Sequence, residues 1–481
     1  MAARRGLFHF GAAPAALGRP VFILWPSRGA GRARQDPALS APRSNIAVIG
    51  GGIAGLCAAW LLGRVHRVTL YERQAQPGFI ASSVSLPFGD GLPRVDVPLR
   101  VFYPGYYPTL TRLYDELGVA SQPVSYAATF TGDDGQAYFR YRNLRWGDSS
   151  WGMVAPQDLL GRRARRITAG LLRFHGEALP AWRRGELAGV SLGQFVAAAG
   201  FSEAFVEGFL LPAVCTVCTC STDAAREFPA AVIVDYLARG LTRQSVRRAC
   251  DGADAVAAKL LAGIGQVHCN VAIDAVRRHG RTLAVRTADG HEAAFDHIVL
   301  ATQANQALPM LEAPTAAERR VLGGFRYEPV EVLMHTDAAL MPRHRADWSP
   351  VNLRVSPAHD RPMSTIWVNA VQPPLRRVRD VFQSVHPCQA PKDEAVIGHA
   401  RFERPVVDAR SAAALQGLEQ LHAEPDRRVW FCGSYAQAGI PLLESAVASA
   451  HRVARLLGVA LADQGPLVPV PVPGLRAEIS A

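Results

Sequence analysis

The chain has 481 residues, which is long for one compact domain and comfortable for two. Hydrophobic residues make up 49% and charged residues 19%, a composition typical of folded globular proteins. Residues 1–43 hold seven arginines and one aspartate, so they contribute +6 of the net charge of +11 and leave +5 for the rest. The mildly basic remainder argues against nucleic acid as a partner and suits a weak attraction to anionic lipid or substrate.

Both ends of the sequence differ in composition from the remainder. Residues 1–43 are rich in Arg and Ala, which indicates either an organellar transit peptide or a disordered extension, and residues 461–481 form a Pro-rich tail. No run of about 20 apolar residues occurs, so we expect no transmembrane helix, while peripheral membrane contact stays possible. Eight cysteines without a secretory signal predict reduced thiols and an intracellular protein, cytoplasmic or organellar.

The first motif that carries chemistry follows a buried strand. Residues 45–49 form a short apolar run typical of a parallel strand. The sequence Gly50-Gly51-Gly52-Ile53-Ala54-Gly55 comes next and fits the pattern G-x-G-x-x-G. A helix is predicted over 56–62 and a second strand over 67–71, ending on Glu72. This strand–turn–helix–strand context is the one that the glycine pattern requires to be credible.

Each position of the motif has a physical role in binding a dinucleotide. Gly50 permits the tight turn, Gly52 lets the main chain approach a diphosphate, and Gly55 lets the helix pack closely on the strand. The positive end of the helix then faces the phosphates. Glu72 is placed to bind a ribose hydroxyl. The predicted cofactor-binding residues of this block are Gly50, Gly51, Gly52, Ile53, Ala54, Gly55, Glu72 and Arg73.

Two later segments, each preceded by an insertion, again show the strand and helix pattern of a nucleotide-binding domain. Strands are predicted over 267–276 and 295–302 with a hairpin between them, and a last strand over 428–434 precedes a helix over 444–457. The pattern predicts a nucleotide-binding domain built from three separated segments and a substrate domain built from the insertions. The predicted segments are 44–100, 246–305 and 425–460 for the first domain, and 101–245 and 306–424 for the second.

Taken together, these blocks resemble the flavin-containing amine oxidase and phytoene desaturase superfamily over roughly residues 44–460. The resemblance implies an α/β fold, in which a Rossmann-like doubly wound FAD-binding domain is interrupted by a mixed α+β substrate domain. It also implies non-covalent FAD. In the superfamily the last block points a helix N-terminus at the flavin ring, which assigns that role to Gly433, Leu443 and Glu444. Val271 matches the strand whose backbone meets the adenine.

Several further blocks resemble a branch of predicted NAD/FAD-binding oxidoreductases linked with modified fatty-acid synthesis. They are residues 95–97, 107–110, 204–212, 367–372 and 402–405. This resemblance implies a small, lipid-like substrate, by analogy alone. One departure concerns the phosphate loop. The superfamily usually has a Gly-Gly doublet and an arginine some residues after the ribose acid, whereas here Gly78 is followed by Phe79 and that arginine is missing. The FAD contacts of that loop must therefore differ.

Many amine oxidases use a lysine that holds a water at flavin N5. The chain has only two lysines, Lys259 and Lys392, and neither lies where that residue is expected. This argues against amine oxidation and raises the case for lipid dehydrogenation.

The catalytic residues are not fixed by the sequence. His386, Tyr435, Asn369 and Gln372 are weak candidates, each of which has an ordinary structural interpretation as well. The cluster Cys215-x-x-Cys218-x-Cys220 lies among apolar residues and lacks a second ligand pair, so we predict no metal site there.

The function predicted on this basis is an FAD-dependent oxidoreductase that abstracts a hydride from a largely apolar substrate, as a desaturase or dehydrogenase does. Oxygen, a quinone or another carrier would accept the electrons. Three alternatives stay open: a flavin amine oxidase, a redox-neutral FAD-dependent isomerase, and a non-catalytic escort-type binding protein.

Overall fold

The computed structural model describes residues 43–461, apart from residues 80–82, 89–90, 92–93, 147–148, 242–244 and 281. The predicted N-terminal extension, up to residue 42, and the Pro-rich tail from residue 462 onward lie outside the described residues.

The strands of the described residues are as follows, in chain order: β1 (Asn45–Ile49), β2 (Arg67–Tyr71), β3 (Ser121–Pro123), β4 (Ala128–Thr131), β5 (Ala137–Trp146), β6 (Ser149–Val154), β7 (Arg247–Ala249), β8 (Gln266–His268), β9 (Ile273–His279), β10 (Thr282–Thr287), β11 (Glu292–Phe295), β12 (His297–Leu300), β13 (Tyr327–His335), β14 (Val351–Arg354), β15 (Met363–Trp367), β16 (Phe382–Val385), β17 (Val396–Pro405) and β18 (Val429–Phe431).

The α-helices in the same part of the chain are α1 (Ile53–Leu62), α2 (Pro108–Glu116), α3 (Arg162–Arg183), α4 (Leu192–Ala198), α5 (Glu203–Phe205), α6 (Leu211–Cys218), α7 (Thr222–Glu227), α8 (Ala230–Tyr236), α9 (Gly252–Leu261), α10 (Ala304–Met310), α11 (Ala316–Leu322), α12 (Val368–Val371), α13 (Ala409–His422) and α14 (Leu443–Leu456). Short 3₁₀ turns include Pro156–Leu160, and π-helical turns cover Val206–Leu210 and Leu237–Leu241.

A five-stranded sheet of order β18-β12-β1-β2-β8 organises the first half of the fold. All of its neighbouring strands run parallel. The central strand β1 is apolar and buried on both faces, with Ala47 and Val48 fully inaccessible, as parallel strands covered by helices require. The predicted doubly wound Rossmann-like α/β fold is confirmed.

Helices cover both faces of this parallel sheet. On one face, α1 lies between the sheet and α14, in a core that includes Leu56 and Val447. On the other face, α11 and α13 pack through residues such as Leu322 and Leu418. Both helices come from the segment 306–424, which the sequence assigned wholly to the substrate domain. Their apolar faces belong to the core of the nucleotide-binding layer, so the predicted boundaries at 306 and 424 divide that core.

An eight-stranded sheet of order β17-β13-β16-β15-β14-β4-β5-β6 forms the second layer. Its strands come from both insertions, and only the β14–β4 pair is parallel. Helices α3 to α8 follow the edge strand β6 and pack mainly into the larger core shared with α1 and α14. The structure thus contains the predicted second, mixed α+β region. None of the helices in the described part of the chain is long and apolar enough to cross a bilayer.

The first prediction concerns Gly55, where α1 meets the glycine turn. A Cβ there would lie 1.8 Å from the carbonyl oxygen of Gly50, and backbone cannot move aside as a flexible side chain can. Gly55→Ala should lower the free energy of unfolding by about 1–3 kcal/mol, measured by urea denaturation. Gly176→Ala is the matched control, because a Cβ on that exposed glycine of α3 meets open space, and the helix should gain about 0.5–1 kcal/mol. Equal effects would contradict the packing argument.

The second prediction concerns acid stability. Burial, together with the nearby Arg427 and Arg452, lowers the pKa of His422 to about 3. Its Nε2 accepts a hydrogen bond from the N–H of Phe431 at 3.2 Å, so the folded state needs the neutral ring. The unfolded chain takes up a proton near pH 6.5, so this histidine's contribution is present above that pH and is lost as the pH falls toward 3.

Stability should therefore fall on acidification with a contribution of up to about 1.4 kcal/mol per pH unit from His422 alone. His422→Gln keeps an acceptor for the Phe431 N–H and removes the titration, so the slope of unfolding free energy between pH 6 and pH 4 should become shallower. An unchanged slope would show that His422 does not carry this acid sensitivity.

Candidate functional site

The first glycine turn lies at the carboxyl end of β1, where parallel sheets of this type bind ligands. Gly50 adopts a φ of +107°, a conformation that favours glycine. At Gly52, an added Cβ would find no atom within 4 Å, so the backbone there borders open space at the start of α1. The turn presents main chain, without side chains, to whatever occupies that space.

Glu72 holds the turn in place from the end of β2. Its Oε2 accepts a hydrogen bond from the N–H of Gly51 at 2.7 Å, and its Oε1 accepts one from the N–H of Gln74 at 2.9 Å. The carboxylate is buried and lines the cavity described below. Each oxygen keeps a second lone pair, so the group can also accept from a ribose hydroxyl.

A cavity of about 790 Å³ runs from this turn into the second layer of the fold. That volume lies in the range of ligand sites. Of the residues predicted to bind the cofactor, those that line it are Gly50, Gly51, Gly52, Ile53, Ala54, Glu72, Arg73, Val271, Gly433 and Leu443. Sequence positions as distant as 50 and 443 are thus brought to one space.

Two residues predicted to bind the cofactor, Gly55 and Glu444, do not line the cavity. Gly55 instead packs against the Gly50 carbonyl, in agreement with its expected packing role. The Glu444 carboxylate accepts hydrogen bonds from the N–H groups of Thr109 and Leu110, at 3.0 and 2.9 Å. It thereby anchors the N-terminus of α2, and burial raises its pKa. Only the backbone of Glu444 is left for the predicted role near a flavin.

Arg100 is a cationic residue of the site that the sequence reasoning missed. It lines the cavity, donates from Nη2 to the carbonyl of Phe79 at 2.6 Å and stacks on the Phe79 ring. The Phe79 N–H in turn donates to the carbonyl of Gly51, which places the guanidinium beside the glycine turn. Among the residues described, the buried Nε of Arg100 has no hydrogen-bond partner. Burial lowers the pKa of Arg100.

Of the four weak catalytic candidates, only Tyr435 lines the cavity. Its ring packs on Phe325 with centroids 4.9 Å apart, and burial raises its pKa well above the usual value. His386 contacts Arg361 instead, with its pKa lowered by burial and by that cation. The Oδ1 of Asn369 accepts a hydrogen bond from the N–H of Val381, and its Nδ2 donates to a carbonyl of the loop after α12, so the side chain holds that loop together.

Gln372, the remaining candidate, donates to the carbonyl of Arg94 at 3.3 Å and is buried. It therefore braces the chain near β15 and is not among the cavity residues. The neighbouring Gln383 does line the cavity, where it accepts from the N–H of Leu99. Asn369 lies in the short helix α12 and Gln372 follows its last residue, and neither belongs to the cavity wall.

The far end of the cavity is aromatic and apolar. Its wall includes Tyr107, Tyr126, Tyr236, Ile366 and Phe402. Burial raises the pKa values of the three tyrosines, that of Tyr126 to about 12, so their hydroxyls stay protonated at neutral pH. Tyr107 and Phe402 belong to blocks that carried the family resemblance, which is the only sequence signal that could have selected them.

The cysteine cluster lies behind this wall. Cys215, Cys218 and Cys220 are buried in the larger core, while Thr216, Val217 and Thr219 face the cavity. A hydrogen bond with Cys220 and burial raise the pKa of Cys215, which disfavours the thiolate that metal binding needs. Across the described part of the chain, no three His, Cys, Asp or Glu side chains are arranged to hold a metal ion.

Comparison with known proteins supports the fold assignment. A sequence family described as an NAD(P)-binding Rossmann-like domain matches residues 48–117. No curated protein matches the chain by sequence. Solved structures that are similar include a CLA-producing fatty acid isomerase from P. acnes, at a TM-score of 0.58 and 18% identity, covering 86% of this chain and 98% of that one.

Two amine oxidases are similar to the same extent. Putrescine oxidase bound to putrescine matches at a TM-score of 0.60 and 15% identity, covering 86% of this chain and 99% of that one. Cyclohexylamine oxidase from Brevibacterium oxydans matches at 0.58 and 14%, covering 86% and 100%. These identities establish the fold and not the activity. The chain shares the fold of these three enzymes, in agreement with the fold class that its sequence motifs predicted.

Proposed function

We propose that the protein is an FAD-dependent oxidoreductase that removes a hydride from a largely apolar substrate. The observation that carries this proposal is one cavity that joins a dinucleotide-type glycine turn to an aromatic chamber, formed by Tyr107, Tyr126, Tyr236, Ile366 and Phe402. A cofactor at one end and a substrate at the other would meet inside it. Such an arrangement is expected when a cofactor supplies the chemistry and the protein supplies position and electrostatics.

The residues around the turn fit the polar parts of FAD. The open space at Gly52 and the positive end of α1 suit the diphosphate, and the unpartnered Nε of Arg100 supplies a donor on the same side. Arg100 would then replace the arginine that is missing after Gly78. Glu72 suits the ribose hydroxyls, and Val271 lies at the wall expected to meet the adenine.

The N-terminus of α14 suits the flavin end. Gly433 has a φ of +157° and Leu443 begins the helix, and both line the cavity. The residues at this end would hold the flavin ring, which would supply the hydride-accepting chemistry. The helix N-terminus would stabilise negative charge at the edge of the ring, since it presents backbone N–H groups and a partial positive charge.

At the substrate end, the side chains of the protein mainly orient the substrate and exclude water. Tyr107, Tyr126, Tyr236, Ile366 and Phe402 provide apolar surface for a hydrocarbon. Because burial raises the pKa values of these tyrosines, they can donate hydrogen bonds and do not act as bases at neutral pH. The described lining residues include no histidine or lysine, so the proposed role of this wall is positioning.

A flavin amine oxidase is the less favoured alternative. Both lysines of the chain are exposed, Lys259 on α9 and Lys392 in a loop before β17, and neither lines the cavity. The lysine-bound water used by many amine oxidases therefore has no counterpart here. A redox-neutral isomerase remains compatible with the same cavity, and one similar structure is a fatty acid isomerase. An escort protein would share the fold and bind no flavin.

The third prediction separates cofactor binding from folding. Because a side chain at Gly52 meets only open space and its φ is −66°, Gly52→Val should leave the fold intact and project into the region assigned to the diphosphate. We expect FAD affinity to fall by about 100-fold or more, measured by quenching of flavin fluorescence on titration with FAD, while thermal unfolding of the FAD-free protein stays unchanged.

Gly176→Ala is again the matched control and should bind FAD as the wild-type chain does, since that glycine lies on the exposed face of α3. Undiminished FAD binding by Gly52→Val would contradict the placement of the diphosphate at this turn.

The reaction class is tested by mixing FAD-loaded protein with oleic acid or a long-chain amine without oxygen. The proposal expects loss of the visible flavin absorbance with the apolar acid and not with the amine. Bleaching by the amine alone would identify an amine oxidase, and a changed double bond without lasting bleaching would identify an isomerase. Failure to bind FAD at all would leave the escort function.

A further inference from the structure

Arg404 is a further cationic residue of the cavity, in addition to Arg73, Arg100 and Arg401. It stands near the end of β17, where its Nε donates to the Thr219 hydroxyl at 3.1 Å and its Nη1 donates to the Pro441 carbonyl at 3.0 Å. Burial lowers the pKa of Arg404, and Arg100 lowers it further. Pro441 precedes the N-terminus of α14, so the Arg404 guanidinium lies beside the expected flavin end of the cavity.

No carboxylate among the described residues forms an ion pair with Arg404, although a partly buried cation is costly without one. The two acids that line the cavity are engaged elsewhere. Glu72 binds the N–H groups of its own turn, and the exposed Glu403 accepts from Asn305 Nδ2 at 2.9 Å. The positive charge of Arg404 is therefore available to a ligand.

Thr219 fixes the guanidinium in this position. It has a φ of +51°, in the left-handed region that a β-branched residue rarely adopts. Its hydroxyl donates to the Cys218 carbonyl at 2.7 Å and accepts from Arg404. Backbone strain of this kind persists where the surrounding structure imposes it and is concentrated at functional sites.

We infer that Arg404, held in place by the Thr219 hydroxyl, binds the carboxylate of an otherwise apolar substrate through its remaining N–H groups, so that the protein acts on apolar carboxylic acids. This inference rests on the proposed function, in which the two negative charges of the FAD diphosphate lie at the glycine turn beside Arg100. Those charges leave Arg404 uncompensated. A carboxylate matches a guanidinium in geometry and charge, and the walls formed by Tyr107 and Phe402 accommodate its hydrocarbon chain.

The test compares oleic acid with its methyl ester, which has the same chain and no charge. Binding to the full-length, FAD-loaded protein is followed by calorimetry and by the shift of the flavin spectrum. We expect the acid to bind about 100-fold more tightly than the ester. Arg404→Gln should abolish this preference without weakening ester binding, and Arg404→Lys should restore part of it.

Arg401→Gln is the matched control, because Arg401 lies on the same strand, lines the cavity and is already paired with Glu331 at 3.0 Å. It should keep the preference for the acid.

Equal binding of acid and ester by the wild-type chain would overturn the inference. So would an Arg404→Gln variant that keeps the preference or that changes only FAD affinity, since Arg404 would then serve the flavin. A chain that binds no FAD refutes the proposed function, whereas acid-selective calorimetry on that chain would still support the inference.

A separate observation concerns the surface. Of the seven large hydrophobic side chains that are exposed in the described residues, five fall within residues 144–172. They are Leu144 at 58%, Trp151 at 60%, Leu159 at 41%, Leu160 at 83% and Leu172 at 72% exposure, and together they are called the apolar edge. Isolated exposed apolar residues are ordinary, whereas a concentration of them marks an interaction surface.

The elements of the apolar edge are adjacent. Leu144 and Trp151 face each other across the β5–β6 hairpin at the end of the larger sheet. Leu160 closes the 3₁₀ turn before α3, where Arg165 donates to its carbonyl at 2.8 Å. Hairpin and helix are joined by Arg163, whose guanidinium lies 3.5 Å from the centroid of the Tyr138 ring.

Basic residues accompany the apolar edge. Residues 159–176 contain five arginines and no aspartate or glutamate, and the exposed Arg162, Arg165 and Arg166 flank Leu160 and Leu172 along α3. We infer that the apolar edge docks on an anionic membrane surface, with the leucines and tryptophan in the interfacial region and the arginines at the phosphate groups. This surface would bring the protein to a source of apolar acids.

The test is co-sedimentation of the full chain with vesicles of phosphatidylcholine alone or mixed with phosphatidylglycerol. We expect stronger binding to the anionic vesicles that weakens with salt. The double variant Leu160→Glu with Leu172→Glu should bind at least about tenfold more weakly. Leu456→Glu is the matched control, since Leu456 is exposed at the end of α14, outside the apolar edge, and should bind as the wild-type chain does.

Circular dichroism checks that all variants are folded. Equal vesicle binding by the double variant and the wild-type chain would overturn the inference, because contact would then be made elsewhere, for example through the arginines of residues 1–43. Absence of binding to either vesicle would also overturn it and would favour a protein partner for the apolar edge.

Discussion

The close approach of α1 to the end of β1 is the constraint on which the rest of the structure depends. Gly55 lies so near the carbonyl of Gly50 that no side chain fits between them. This contact sets the start of α1 against the parallel sheet and leaves open space at Gly52. Glu72 fixes the same turn from β2 through the N–H of Gly51. One strand, one helix start and one carboxylate thus define the polar end of the cavity.

From that end the cavity changes character with distance. Main-chain N–H groups and Arg100 surround the first part, and aromatic residues of the second layer surround the last part. Arg404 and Thr219 lie beside the start of α14. A ligand pair that fits this distribution has a doubly charged linker at the glycine turn, an apolar chain at the aromatic end and a single negative charge beside the start of α14. FAD and an apolar acid satisfy that description.

Local sequence was sufficient for the parts of the fold in which neighbouring residues act together. The run from β1 through Gly50 to Glu72 is contiguous, so its spacing alone predicted the turn. Arg100 and Arg404 could not be predicted in this way, since Arg100 reaches the cavity from the segment between β2 and α2 and Arg404 reaches it from β17. The structural role of Asn369 could not be predicted either, because its hydrogen bonds depend on how the loop after α12 folds back on it. Helix α13 was assigned to the wrong layer, because an apolar helix face does not specify which sheet it covers.

The most direct test of the central claim is the absorption spectrum of the purified full-length chain, recorded before and after denaturation. The account predicts flavin bands in the native protein and release of all the flavin into the supernatant when the protein is denatured and removed. A colourless protein that also fails to take up added FAD would contradict the account. Flavin that stays with the denatured chain would contradict its non-covalent part.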